Sequence, residues 1–469
     1  MAMATPSSSF SIFHRAPTVH KASPAISNLR ICLSPTSNSQ RPTPQLGWEF
    51  RWPAIGKEVR LKTIAIIGAG VTGVTTAYAL LQRGYGVTVI DRQRYPAMET
   101  SFANGGQLSA SNAEVWNRWS TVWHGLLDMT DPASPLLVNP APNWHKYSWF
   151  AEFIAAIPRY RANTIATTRM AIKARRLLFD IAAREHIDFG LERRGILHLY
   201  NDRAAFEHGR AVNRLLKEGG LERREVTSAE MRAIEPALTH DYYAGIYAPD
   251  DATGDIHRFT RGLAEACRGA RFLQEAEVKQ LRHMPTGIEI SLELGPHGDT
   301  RPEQITADGL VICAGVGSRA LAAMLGDRIN IYPVKGYSIT VNLDDDLSQQ
   351  AAPWVSLMDD PVKIVSSRLA PDRLRVAGTA EFNGYNYDIR ADRIEPLVTW
   401  VRREMPRINT SAAVPWAGLR PMLPDLVPKV GAGKCRGVFY NTGHGHLGWT
   451  LAAATAEAVA AIVTARLPA

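Results

Sequence analysis

The chain is poor in the residues that staple or metallate a protein. Its four cysteines (Cys32, Cys267, Cys313, Cys435) lie far apart without CxxC spacing. That excludes a disulfide framework or a zinc ribbon and leaves them as small hydrophobes in a reduced compartment. His444 and His446 have no matching acidic or cysteine cluster in the sequence, so no metal site is expected. No apolar run reads as a membrane span, because the C-terminal stretch Leu451–Leu467 is alanine-rich and interrupted by Glu457. Acidic residues are scarce only at the start. Residues 1–60 hold seven Lys or Arg against Glu49 and Glu58, which is +5 of the total +8. The remaining +3 is spread without a sustained basic tract, so a nucleic-acid partner is not expected.

Those first sixty residues are rich in Ser, Pro and Thr and show no period of 2 or 3.6. Such a segment need not pack and is expected to be a disordered extension. Two readings fit it, an organellar transit peptide or a misassigned upstream start, with the folded unit beginning at Leu61. The rest, in a chain of 469 residues with 45% hydrophobic and 21% charged content, predicts a globular protein in two or three structural parts.

What is present begins with Thr63–Asp91, TIAIIGAGVTGVTTAYALLQRGYGVTVID. An apolar strand enters the turn Gly68-Ala69-Gly70-Val71, a helix carries Gly73, and a second apolar strand ends at Asp91. Gly68 permits the tight turn, Gly70 lets backbone N–H groups approach a pyrophosphate, and Gly73 lets helix and strand pack closely. Asp91 stands where a carboxylate accepts hydrogen bonds from an adenosine ribose. Arg92 can approach the same end. Strand, glycine turn, helix, strand and terminal acid together predict a dinucleotide site of the Rossmann type.

Further along, two more strands run into glycines before helices, at Ala307–Leu321 (Ala314, Gly315, Gly317) and Gly437–Val463 (Gly443, Gly445, Gly448). The three junctions at 68, 315 and 443 are expected to converge on one extended ligand. Residues 272–281 and 287–294 read as strands. Residues 203–218, 228–234 and 391–404 read as helices, and Asp255 caps a helix holding His257 and Cys267. Residues 326–415 alternate like an antiparallel sheet with one buried face. Gly418–Gly431 reads as a Pro-rich loop that carries Arg420. The expected fold is α/β plus α+β, a Rossmann-like dinucleotide-binding domain joined to a β-rich, mixed substrate domain. The dinucleotide-binding parts are 61–145, 251–325 and 416–469; 146–250 is a substrate or cap region and 326–415 the β-rich part.

VIDR (89–92), ETSFANGGQLS (99–109), YPVKGYS (332–338), GLRPMLPD (418–425) and NTGHGHLGWT (441–450) together resemble the small-subunit type of D-amino acid dehydrogenase, within the FAD-dependent D-amino acid oxidase family. The resemblance covers essentially Leu61–Leu467. It implies non-covalent FAD, oxidation of a D-amino acid substrate at Cα, and electron delivery to a quinone or other respiratory-chain acceptor. It also implies peripheral contact with the cytoplasmic face of a membrane, with an organellar location if residues 1–60 are a transit peptide. By the same resemblance Thr100, Ser101, Asn104 and Gly106 lie near pyrophosphate and flavin. Val278 meets adenine through its backbone, and Ala314 and Gly315 pass close to the cofactor. Gly443, His444, Gly445 and Gly448 form the last loop against the flavin.

Arg420 is the expected substrate residue, since a planar guanidinium holds a carboxylate through two parallel hydrogen bonds; a structural salt bridge is its alternative. Tyr337 is expected to add a hydroxyl contact or to be a half-buried strand residue, and His446 to shape the pocket or influence the substrate amine, or to serve packing or a backbone hydrogen bond. The chain departs from the family pattern in its N-terminal extension, in Asn104-Gly105-Gly106 and in His446. An oxygen-using glycine, sarcosine or D-amino acid oxidase, a D-proline or hydroxyproline dehydrogenase, and a noncatalytic flavoprotein subunit remain alternatives. The Trp-rich stretch Trp116–Trp149 reads as an acceptor- or membrane-facing surface or as core.

Overall fold

A computed structural model describes residues 61–127, 136–296 and 298–469. The extension 1–60, Cys32 within it, and Pro132 and Pro135 lie outside these residues. Strand β1 (Thr63–Ile67), helix α1 (Val71–Leu81) and strand β2 (Gly86–Ile90) form where the apolar runs place them. Ile64, Ala65 and Ile66 have no exposed surface, as an inner strand of a parallel sheet covered on both faces requires.

β1 and β2 lie at the centre of a six-stranded sheet. Its order is Lys429–Ala432, Val438–Thr442, Gly309–Ile312, β1, β2, Arg271–Leu273, with only the first of these antiparallel to its neighbour. On one face α1 packs with helices Ile256–Ala266 and Gly448–Arg466. The other face carries the antiparallel meander Ala276–Met284, Gly287–Leu294, Arg301–Ala307 and the short helix Ser318–Met324. Asp255 caps its helix by accepting from the N–H groups of His257 and Arg258, which stabilises that helix by about 1 kcal/mol.

The second sheet has nine strands. Its main path runs Val414–Met422, Tyr332–Asn342, Arg373–Phe382, Ile364–Ala370, Ser356–Asp359, Ile196–Tyr200, Ala244–Ala248, Arg224–Val226, and Leu136–Val138 pairs with Arg373–Phe382. Strands from the expected cap region and from the β-rich region therefore share one sheet. Helix Ala391–Glu404 covers its far face through Leu397, Val398, Trp400 and Val401.

Three expectations are corrected. The segment read as one strand over 272–281 breaks at Glu275, whose φ of +51° turns the chain from the first sheet into the meander. The loop expected at Gly418–Gly431 begins inside strand Val414–Met422, and Pro415 and Pro421 are tolerated there because the strand lies at the sheet edge. The segment Gly445–Arg466 is apolar and long enough to cross a membrane by length and composition alone. Its hydropathy serves the core, where Trp449, Leu451, Val459 and Val463 are buried, each contributing roughly 1.5–3 kcal/mol.

Candidate active site

The three glycine junctions meet in one cavity of about 1010 Å³. They follow β1, Gly309–Ile312 and Val438–Thr442, which are adjacent parallel strands, so their C-terminal ends open at the same sheet edge. Gly68 sits at φ +108°, and a Cβ there would lie 2.5 Å from the carbonyl oxygen of Cys313. A Cβ on Gly73 would lie 1.8 Å from the carbonyl oxygen of Gly68. Both positions admit only glycine. A Cβ on Gly70 meets only Ser101 Oγ, at 3.4 Å, so this backbone stays open to the cavity. The turn thus has the closeness that a dinucleotide pyrophosphate needs at the start of α1, and the residues present fit FAD.

Asp91 ends β2 with one carboxylate oxygen accepting from Ala69 N–H at 2.5 Å and the other from Gln93 N–H at 2.8 Å. Burial pushes its carboxyl upward while those two donors oppose the shift. Ala69 does not line the cavity; it anchors Asp91, which does. Ser101 accepts from Val71 N–H at 3.0 Å, satisfying one free donor of the α1 terminus. Thr100 Oγ1 donates to the carbonyl of Leu419 at 3.0 Å and ties this loop to the strand that carries Arg420. Arg92 lines the cavity, as does Val278, and pairs with Glu99 at 2.6 Å. Asn104 lines the cavity and accepts from Gly106 N–H at 2.9 Å. Gly105 reaches the cavity, whereas Gly106, at φ +76°, packs on Leu369 and Ser367. That corrects the expected role of Gly106: it turns the loop and does not face the ligand.

The last loop is held from behind. Gly443 and Gly445, both at positive φ, pack on Leu423 and Met422. His444 Nε2 bonds Thr455 Oγ1 at 2.9 Å, and burial holds its imidazole down to about 3. His446 stacks on Trp116 with ring centroids 4.5 Å apart and bonds the carbonyl of Asn112. Burial, and then the charge of Arg420, bring it down to about 4. Both rings are neutral at physiological pH. Gly448 begins the long helix at the cavity wall, so its positive end faces the site.

Arg420 extends over Gly336 of the neighbouring strand. A Cβ on Gly336 would lie 2.3 Å from the guanidinium carbon. Its Nη1 donates to Thr379 O at 2.8 Å. No carboxylate pairs with it among the described residues, and burial lowers its pKa to about 10. An unneutralised guanidinium in a buried wall stabilises an anion brought to it.

Tyr337 does not join it. Residues alternate along Tyr332–Asn342, so Gly336 and Ser338 face the cavity; Tyr337 also borders it, but its side chain shares with Lys335 the face that meets Glu381. The phenol of Tyr337 donates to the buried Glu381 at 2.5 Å, and Lys335 lies 3.4 Å from the same carboxylate. The expected substrate contact by this hydroxyl is therefore corrected to a structural one.

The sequence gives no site role to Gly336, Thr379 or the polar wall formed by Ser111, His198 and Asp360, all of which line the cavity, as does Trp116. Isolated glycines inside strands, as at 336, 378 and 418, were the available signal for a close approach. Nothing in the local sequence marks His198 or Asp360.

A glycine-turn Rossmann sheet and, on the edge strand of the second sheet, an arginine with no carboxylate partner among the described residues fit a flavin-type oxidoreductase, and the comparisons agree. Residues 63–462 match the model of the family described as FAD dependent oxidoreductase. The chain belongs to this family of FAD-dependent enzymes. It is 58% identical over 407 residues to D-amino acid dehydrogenase 3 of Mesorhizobium japonicum, covering 86% of this chain and 98% of that one. It is 40% identical over 416 residues to D-amino acid dehydrogenase of Paramagnetospirillum magneticum, covering 86% and 95%. Among solved structures, glycine oxidase from Geobacillus kaustophilus matches with TM-score 0.65 at 20% identity, over 87% of this chain and 96% of that one. L-proline dehydrogenase from P. horikoshii matches with TM-score 0.65 at 17% identity, over 87% and 95%. These two share the fold.

Proposed function

We propose that the protein oxidises D-amino acids at Cα, giving 2-oxo acids and ammonium, and passes the electrons to a quinone or another non-oxygen acceptor. The observation that carries the reading is Arg420, a half-buried guanidinium in the cavity wall beside the 443–448 loop with no carboxylate partner among the described residues. Two parallel bonds from it would hold the substrate carboxylate and fix Cα. Bound FAD supplies the two-electron acceptor. The turn at Gly68–Val71 and Ser101 would hold its pyrophosphate and Asp91 its ribose. The amine must be neutral when hydride leaves Cα. The resulting imino acid takes up water, and a cyclic substrate would stop at the cyclic imine. The D preference rests on the dehydrogenase relatives, because one arginine binds the carboxylate of either enantiomer.

The acceptor reading draws support from exposed aromatics near the cavity mouth. Trp119 and Trp123, one helical turn apart, are 65% and 69% exposed, and Trp116 and Ser120 of the same stretch line the cavity. Exposed tryptophans of this kind suit peripheral contact with a membrane that carries a quinone.

The test is anaerobic bleaching of the FAD-loaded protein with paired D- and L-amino acids, followed by reoxidation with oxygen or a soluble quinone. Selective bleaching by the D series and faster reoxidation by quinone are expected. Bleaching by neither series would sink the amino acid reading, and rapid peroxide formation with little quinone reduction would replace the dehydrogenase by an oxidase.

A further inference from the structure

One wall of the cavity holds a wire of hydrogen bonds that recognition of a carboxylate leaves unused. Ser109 Oγ lies 3.2 Å from Ser111 Oγ, Ser111 Oγ lies 2.9 Å from His198 Nε2, and His198 Nδ1 lies 2.7 Å from Asp360 Oδ2. The inner end of the wire is beside the last loop. Ser109 N–H donates to Thr450 Oγ1 at 3.3 Å, and Asn112, next to Ser111, presents its carbonyl to His446. The outer end reaches water, with Asp360 and its partner Lys363 exposing 22% and 54% of their side chains.

The order Ser, His, Asp invites a nucleophilic reading, and the backbone argues against it. The N–H groups of Ala110 and Ser111, which would stabilise an oxyanion at Ser111, already donate to the carboxylate of Asp251 at 3.0 and 2.9 Å. Proton transfer needs no such donors.

The bonding pattern also fixes a direction. Asp360 stays ionised: His198, Lys363 and the hydroxyl of Tyr200 outweigh the opposing effect of its burial. In the neutral ring, an Nδ1–H donating to Asp360 leaves Nε2 to accept from Ser111 Oγ–H. Ser111 in turn accepts from Ser109. The other charges around His198 are largely paired, Arg118 with Glu114 and Arg175 with Asp251. Arg223 donates to Asn213, and His208 lies against Arg118. The histidines nearer Arg420 are held neutral by burial and take no proton at physiological pH.

We infer that Ser109, Ser111 and His198, backed by Asp360, form a relay that takes the ammonium proton of a bound amine substrate out of the cavity. The inference rests on the amino acid reading above. One N–H bond of the ammonium breaks, one proton moves at each hydroxyl, His198 gains a proton at Nε2, and its Nδ1 proton passes by way of the part-exposed Asp360 to water. The free amine is left behind, and no oxidant is consumed in this step. His198 acts through the serines and is a positioning and relay residue.

The test follows the rate of flavin bleaching against pH in the FAD-loaded wild type, His198→Asn and Ser111→Ala. At neutral pH both variants are expected to fall by about 10- to 100-fold. They should converge with wild type in alkali, where the substrate arrives as free amine. Ser111→Thr keeps the hydroxyl and should restore the wild-type profile, which also guards against loss through misfolding. A second readout needs no turnover: 2-aminoisobutyrate lacks the α-hydrogen, so its binding is followed by the flavin band and an indicator dye. Wild type should release a proton rapidly on binding it, and His198→Asn should release it more slowly. An equal loss at every pH, no loss at all, or proton release unchanged by His198→Asn would overturn the relay. Absence of bleaching in the wild type itself would instead overturn the substrate reading beneath it.

Discussion

Arg420 Nη1 donates to Thr379 O at 2.8 Å, and Thr379 occupies the left-handed region at φ +58°. A β-branched residue there is strained by roughly 1–3 kcal/mol. The cause is a bulge. Lys335 pairs with Glu381 and Tyr337 with Gly378, so Gly336 alone faces both Thr379 and Ala380. The bulge turns the Thr379 carbonyl toward the guanidinium, Nη2 also reaches Gly378 O at 3.5 Å, and the other N–H groups are left for a ligand.

Removing the guanidinium tests recognition directly. Arg420→Leu should keep FAD and lose about 10²- to 10³-fold in kcat/KM, since each bond to a charged group contributes ~1.5–3 kcal/mol. Unchanged kinetics with D-amino acids would show that the carboxylate binds elsewhere. Thr379→Gly relieves the strain without deleting the carbonyl. We expect a higher Tm together with a raised KM; a lower Tm would mean that the threonine side chain contributes more through packing than it costs in strain.

Tyr337→Phe separates the two faces of the same strand. The phenol is one of several partners of Glu381, which also bonds Asn383 and lies near Lys335 and Arg390. Losing it should destabilise the protein by about 1–3 kcal/mol and leave KM and kcat near wild type. A large rise in KM with no change in Tm would return Tyr337 to the substrate site.

The Rossmann half was legible because its signals are local. The glycine spacing of 68, 70 and 73 and the acid at 91 lie within one βαβ unit, and each residue type answers to the backbone of that unit. Arg420 was legible as a chemical group but not as a strand residue, because Pro415 and Pro421 read as loop until the strand is known to lie at an edge. Tyr337 was misplaced for a reason of parity: the face a strand residue takes depends on register with its neighbours, which Gly336 and the bulge set together. Ser111, His198 and Asp360 come from three distant segments, and no spacing rule brings them together.

The buried His444 makes stability pH-dependent. Its ordinary value of 6.5 is lowered to about 3 by burial, so the folded protein keeps it neutral while the unfolded chain takes up a proton below 6.5. Stability is therefore full above that pH and falls as pH drops from 6.5 toward 3, by on the order of 4 kcal/mol over the whole window. Tm measured across that window should slope less steeply in His444→Gln than in wild type. Parallel slopes would place the acid sensitivity in other groups.

The pyrophosphate turn yields a prediction in which fold and cofactor separate. Gly73→Ala puts a methyl 1.8 Å from the Gly68 carbonyl, and backbone cannot yield as a flexible side chain would. The turn must open, and both FAD binding and Tm should fall together. Asp91→Asn leaves the space unchanged. It keeps an acceptor for only one of the two N–H groups now held by Asp91 and places an amide donor near the other. FAD affinity should drop through a loosened Ala69 and a weakened ribose contact, with a smaller loss of Tm in the FAD-free protein. The two variants are compared by titrating FAD into each apoprotein and melting it with and without the cofactor. Equal FAD affinity in Asp91→Asn and wild type would remove Asp91 from the ribose site and leave it an anchor for the turn.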